Sequence, residues 1–117
     1  MRIFLCLLSL INITYAIAQE SPFPTVNGCV MKPYTQCVEM DFSGQDLSNL
    51  DLTGADFQHS NFRGANLSHS ILKNANLKKA DFTEAKLFRA DLRHANARLA
   101  KFDRAKMKAI KGWAMFA

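Results

Sequence analysis

From residue 40 onward one feature governs every reading of this chain: an apolar side chain returns every five residues. Phe42, Leu47, Leu52, Phe57, Phe62, Leu67, Leu72, Leu77, Phe82, Leu87 and Leu92 follow without a slip, and Ala97, Phe102 and Met107 continue the series. Two places before most of these centres stands a small residue, as at Ala55, Ser60, Ala65, Ser70, Ala75, Ala80 and on to Ala105. One place before the centre the chain prefers Asp or Asn, and the blocks GADFQ, GANLS, NANLK and KADFT carry the whole pattern.

A helix turns by about 100° per residue, so apolar positions five apart would circle the cylinder instead of facing a core. A strand fails as well, because an odd period changes face at every step. A solenoid accepts the pattern if each block forms one side of a coil, with two side chains inward, three outward and a bend at each corner.

These blocks resemble the pentapeptide repeat family, whose motif is A(D/N)Lxx. The resemblance runs from Met40 to Ala109, fourteen consecutive blocks. It implies an all-β solenoid, a right-handed quadrilateral β-helix of about three and a half coils with four blocks per coil. Centres read every twenty residues support that number. Phe42, Phe62, Phe82 and Phe102 form one column; Leu47, Leu67 and Leu87, then Met107, form the next. Leu52, Leu72 and Leu92 form a third, and Phe57, Leu77 and Ala97 the fourth. A coil of three or five blocks would mix Phe with Leu.

The outward positions follow their own logic. Two places after the centre, the early corners hold Gly44, Asn49, Gly54, His59, Gly64, His69 and Asn74, several of them types that tolerate the positive φ of a type II turn. Later corners hold Lys79, Glu84, Arg89, His94, Leu99 and Arg104, which points to a second turn type and a coil that changes cross-section. The Asp and Asn before each centre can bond neighbouring backbone and are read as structural.

The flanks differ in composition. Met1-Arg2, the apolar run Ile3 to Ile11 and Ala16-Ile17-Ala18 read as a cleavable export signal over residues 1–18, too short and too broken by Ser9, Asn12 and Thr14 to span a bilayer. A mature chain would begin at Gln19, in the periplasm or outside the cell. Such export removes Cys6 and leaves Cys29 and Cys37, which can form one disulfide; two buried free thiols are the alternative. Residues 19–39 read as an irregular N-terminal cap. Residues 110–117 read as a C-terminal cap in which Ile110, Trp113, Met115 and Phe116 cover the last half coil, or else meet a second copy in a homodimer.

No constellation of catalytic residues appears. Ser and Thr lie on the repeat blocks without a His and carboxylate around them, and His59, His69 and His94 fall on three different sides of the coil, where they cannot share a metal. There is no phosphate loop, and no cofactor is expected, so the reading is of a non-enzymatic protein. Topoisomerase inhibition by DNA mimicry, which the resemblance also brings in, requires an acidic rod. This chain is basic, short and marked for export, which makes nucleic-acid-related roles the weakest reading.

Charge divides along the repeat. Met40 to His59 carries Asp41, Asp46, Asp51 and Asp56 without a Lys or Arg, whereas Ser60 to Ala117 has thirteen basic residues against four acidic. An exported interaction protein with an unidentified protein partner is the first expectation. The second is an electrostatic binder of an anionic envelope polymer or membrane surface through Lys78, Lys79, Arg89, Arg93, Arg98, Lys101, Arg104, Lys106 and Lys108.

Overall fold

The computed structural model describes residues 21–112. The segment 1–18, expected to be an export signal, and Trp113, Met115 and Phe116, expected in a C-terminal cap or homodimer contact, lie outside the described residues. From Gln36 to Lys111 the backbone pairs with itself twenty residues on, always in parallel: Gln36 with Asp56, Asp41 with Asn61, Asp46 with Asn66, and so on to Asp91 with Lys111. A turn falls in every block of five, so four turns close each coil. Four sides result. The first carries the Phe42 column, the second the Leu47 column, the third the Leu52 column and the fourth the Phe57 column.

One block shows how every backbone donor finds a partner. The Asn61 amide donates to the Met40 carbonyl in the coil before (2.8 Å), and the amides of Phe62 and Gly64 donate to the Asp81 and Thr83 carbonyls in the coil after (2.7 and 3.0 Å). The Ser60 amide closes the preceding turn on the Phe57 carbonyl (3.2 Å). Only the Arg63 amide, pointing out of the turn, is left over, and it donates to Oδ1 of Asn61 at 3.0 Å. The same Asx bond recurs at Asp41, Asp46, Asp51, Asp56, Asn66, Asn76, Asp81, Asp91 and Asn96. The preference for Asp or Asn before each centre is thereby explained as backbone satisfaction.

The expectation of a second turn type over the later corners is corrected. Lys79, Glu84, Arg89, His94, Leu99, Arg104 and Ala109 have φ between 56° and 61°, close to Gly44, Gly54 and Gly64 at 66–68°. Register explains this. Corner amides up to Arg89 donate to a carbonyl of the next coil, as Gly44 to Arg63, Lys79 to Arg98 and Glu84 to Asp103. Later corners are held by the coil before, where the Arg98 carbonyl accepts the Lys79 amide, so one divergent turn would break bonds with the coils it touches. The ladder therefore imposes a left-handed residue even where the side chain resists it, at a cost of about 1–2 kcal/mol per residue. Leu99 is such a corner and is 64% exposed, so it gains little from burial. Leu99→Gly is expected to raise stability by about 1 kcal/mol, or a melting temperature roughly 4–8 °C higher. A lower melting temperature would mean that the corner is not strained.

The inward side chains fill a narrow interior. Phe42, Phe57, Phe62 and Phe82, with Leu47, Leu52, Leu67, Leu72, Leu77, Leu87 and Leu92, are fully buried, and the small residues Ala55, Ala65, Ala80, Ala85 and Ala90 are buried beside them. The first column is a stack of rings: Phe42 to Phe62 at 5.1 Å, Phe62 to Phe82 at 4.8 Å, Phe82 to Phe102 at 5.0 Å. Phe57 meets the first two edge-on. Phe102 and Met107 are half-buried, as befits the last coil.

The segment expected to be irregular contains a hairpin. Strand β1 (Thr25–Val26) pairs antiparallel with β2 (Cys29–Val30). Asn27 and Gly28, at φ 50° and 85°, form the connecting turn, the pair that a type I′ turn favours. Asn27 Nδ2 donates to the Asp41 carbonyl at 2.7 Å, and the Cys29–Cys37 disulfide ties β2 to the first block of the ladder. Ile110 is buried at the other end.

Candidate anion-binding faces

The nine cations singled out from the sequence do not form one body. Each side of the coil presents its outward residues in columns twenty apart, and the sides treat their charges differently. On the first side Arg63 reaches Asp81 (3.3 Å), Lys101 stands next to Asp81 in the ladder, and Arg104 pairs with Glu84 at the corner (2.7 Å). On the third side Arg93 grips Asp91 through two bonds of 2.9 and 2.7 Å. Lys111 is the neighbour of Asp91 in the ladder. Arg93 and Arg104 are therefore paired with carboxylates within their own faces, and Lys101 lies beside one.

The remaining six lie on the other two sides, which are opposite each other in a four-sided coil. The second side holds Arg89, Lys106 and Lys108, and the fourth holds Lys78, Lys79 and Arg98. None of these six has an ion pair among the described residues. Two further members of the second side, Lys86 and Phe88, escaped the sequence reading. Lys86 is the direct ladder neighbour of Lys106. Phe88 is half-buried between the His69 ring, edge-on at 5.5 Å, and the Arg89 guanidinium, 5.2 Å from its centre. Reading outward positions every twenty residues, as was done for the centres, would have found both.

The acidic residues are held for structural work. Asp41 lies below the ordinary carboxylate range because the Ser43 amide donates to it, and Asp46 because the Ser48 hydroxyl and amide do. For Asp81 partial burial pushes upward, but the Thr83 hydroxyl and amide and Arg63 together outweigh it. Asp91 is lowered first by the Arg93 side chain, against some burial. A carboxylate depressed in the folded state stabilises fully above its unfolded value of 3.8, and that stability is lost as pH falls through the folded value. Melting temperature is thus expected to decline between about pH 5 and about pH 2. A melting temperature constant over that window would contradict these bonds.

The remaining candidates resolve simply. His59, His69 and His94 occupy corners on three sides, and no group of metal-ligating side chains occurs among the described residues. Ser60 and Ser70, both buried, donate to the Cys37 and Leu67 carbonyls. No buried side-chain polar atom among the described residues lacks a hydrogen bond.

The pentapeptide repeats profile, with eight copies, matches residues 35–74 and 72–104. No curated protein matches the chain. Among solved structures, a pentapeptide repeat protein from Nostoc Pcc 7120 is 38% identical, with 57% of this chain and 64% of that one covered and a TM-score of 0.41. HetL of Nostoc sp. Strain PCC 7120, involved in heterocyst differentiation regulation, is 30% identical over 65% of this chain and 38% of its own, with a TM-score of 0.37. A pentapeptide repeat protein of the Arabidopsis thaliana thylakoid lumen is 38% identical over 62% and 46%, with a TM-score of 0.33. The chain thus spans less than two thirds of each of these.

Proposed function

Because the chain belongs to the pentapeptide repeat family, whose members form right-handed quadrilateral β-helices, we propose that it is an exported, non-enzymatic interaction scaffold of about three and a half coils. The observation that carries this reading is the unbroken twenty-residue ladder from Gln36 to Lys111. It takes up the backbone of the stacked blocks and leaves four sides whose outward residues vary, a rigid display suited to contact with a protein partner. The basic start, apolar run and Ala16-Ile17-Ala18 of residues 1–18, read as a cleavable export signal, support action in the periplasm or outside the cell, and the disulfide fits an oxidising compartment.

The experiment has two parts. Protein recovered from outside the cytoplasm of the producing cell should begin at Gln19; a chain that stays inside with Met1 or Arg2 first would defeat the export reading. A photo-crosslinker at Ser68, on the second side, or at Gln58, on the fourth, should then give a defined adduct that persists at high ionic strength. Salt screens exposed charges beyond roughly 3 Å at 1 M, so an adduct that vanishes there reports charge alone.

One observation favours a second reading, in which the partner is an anionic surface or polymer. Three arginines of the first and third sides, Arg63, Arg93 and Arg104, have carboxylate partners, whereas among the described residues no cation of the second or fourth side has one. DNA mimicry finds no support in a surface of this sign.

A further inference from the structure

We propose that the second and fourth sides are two opposed docking faces for anionic lipid headgroups, so that one molecule links two bilayer surfaces. This rests on the anionic-surface reading and adds to it a valency, a geometry and a ligand class.

The argument begins with what the fold itself requires. Before each centre the ladder favours Asp or Asn, which caps the amide two residues on. Lys86 and Lys106 occupy that position on the second side and have no oxygen with which to cap. They are also direct parallel neighbours, and like charges placed opposite each other in a sheet are destabilising. Two local preferences are thus set aside at the same place. Glu84, at the corner leading into this face, is engaged by Arg104, and Asp91 beyond its far corner is engaged by Arg93, so neither neutralises the pair. With Arg89, whose guanidinium lies 5.2 Å from the Phe88 ring, and Lys108 the face offers four cations and an aromatic residue, a combination that suits a lipid interface. On the fourth side Lys78 and Arg98 are neighbours twenty apart, and Lys79 stands at the corner next to the exposed Leu99.

Shape selects the lipid surface over a linear polyanion. A single strand is held in a charged groove that tracks its backbone. Here the cations stand on the flat sides of a coil, which fits a plane of headgroups. Sides two and four face away from each other, so the two sets cannot meet one bilayer together.

The test uses the full chain with vesicles of phosphatidylglycerol and phosphatidylcholine, and pure phosphatidylcholine vesicles as the reference for any contribution of the N-terminal apolar run. Co-sedimentation reads binding, and light scattering reads clustering. Wild type should bind and cluster the anionic vesicles at low salt, and lose both as salt rises. Lys86→Glu with Lys106→Glu, or Lys78→Glu with Arg98→Glu, should each abolish clustering while retaining binding through the intact face; all four together should reduce binding to the level of the neutral vesicles. Matched melting temperatures establish that these outward substitutions leave the fold intact. Clustering that survives either pair of reversals overturns the two-face proposal. Binding no better than to neutral vesicles, with capture by soluble polyphosphate, overturns the lipid assignment while leaving the anionic reading standing. A salt-resistant protein adduct that the four reversals do not alter supports the scaffold reading independently of all this.

Discussion

Phe62→Ala is expected to destabilise the protein by about 3–5 kcal/mol, the cost of emptying a fully buried ring site. The environment argues for the upper part of that span. Phe62 stacks on Phe42 and Phe82 and receives the edge of Phe57, so three rings lose a partner at once. Neighbouring coils are bonded above and below, which leaves little freedom to collapse into the void. For a domain whose whole stability is on the order of 5–15 kcal/mol, thermal unfolding should begin near working temperature. Lys78→Ala, on an outward position, is expected to change stability by less than about 0.5 kcal/mol. Similar melting temperatures for the two variants would place Phe62 outside the coil interior.

The second large effect belongs to the disulfide that joins the hairpin to the first block. Cys29 and Cys37 are eight residues apart, and joining them removes loop freedom from the unfolded chain worth roughly 2–3 kcal/mol. Reduction, or replacement of both by Ala, is expected to lower the melting temperature accordingly. Alkylation without prior reduction should modify Cys6 alone in the full chain, and no cysteine in a chain that begins at Gln19. Modification of Cys29 and Cys37 without reductant, with a melting temperature indifferent to it, would establish two buried thiols instead. The bond matters beyond its own energy. It fastens β2 to the block that supplies Gln36, the first residue of the ladder.

The interior of this fold was legible because a narrow coil repeats its cross-section: at a spacing of twenty, Phe falls on Phe in the first column and Leu on Leu in most of the second and all of the third, a constraint written directly in residue type. The role of Asp and Asn was legible for the same reason, as the turn leaves one amide over in each block. Corner conformation was not. Lys79, Glu84 and Leu99 are poor candidates for a positive φ, and local propensity pointed to another turn. The register of the neighbouring coils overrode it, a tertiary effect no single block displays. The Asn27-Gly28 hairpin was overlooked although its turn pair is a strong local signal, because its strands are only two residues long. Charge was read by position along the chain when the fold sorts it by side, which is why Arg93 and Arg104 turned out to be paired and Lys86 went unnoticed.

The four-block coil requires outward residues twenty apart to stand side by side, and paired cysteines test this most directly. Parallel strands lie about 4.8 Å apart, inside the Cα separation of roughly 4.4–6.8 Å that a disulfide spans. Lys86→Cys with Lys106→Cys, both on the second side, should cross-link under mild oxidation within the monomer. Lys86→Cys with Lys101→Cys places the second thiol on a different side and should not. A cross-link at 86 and 106 alone is the expected result; efficient bridging of 86 to 101, or none between 86 and 106 in a folded protein, would contradict the four-block coil.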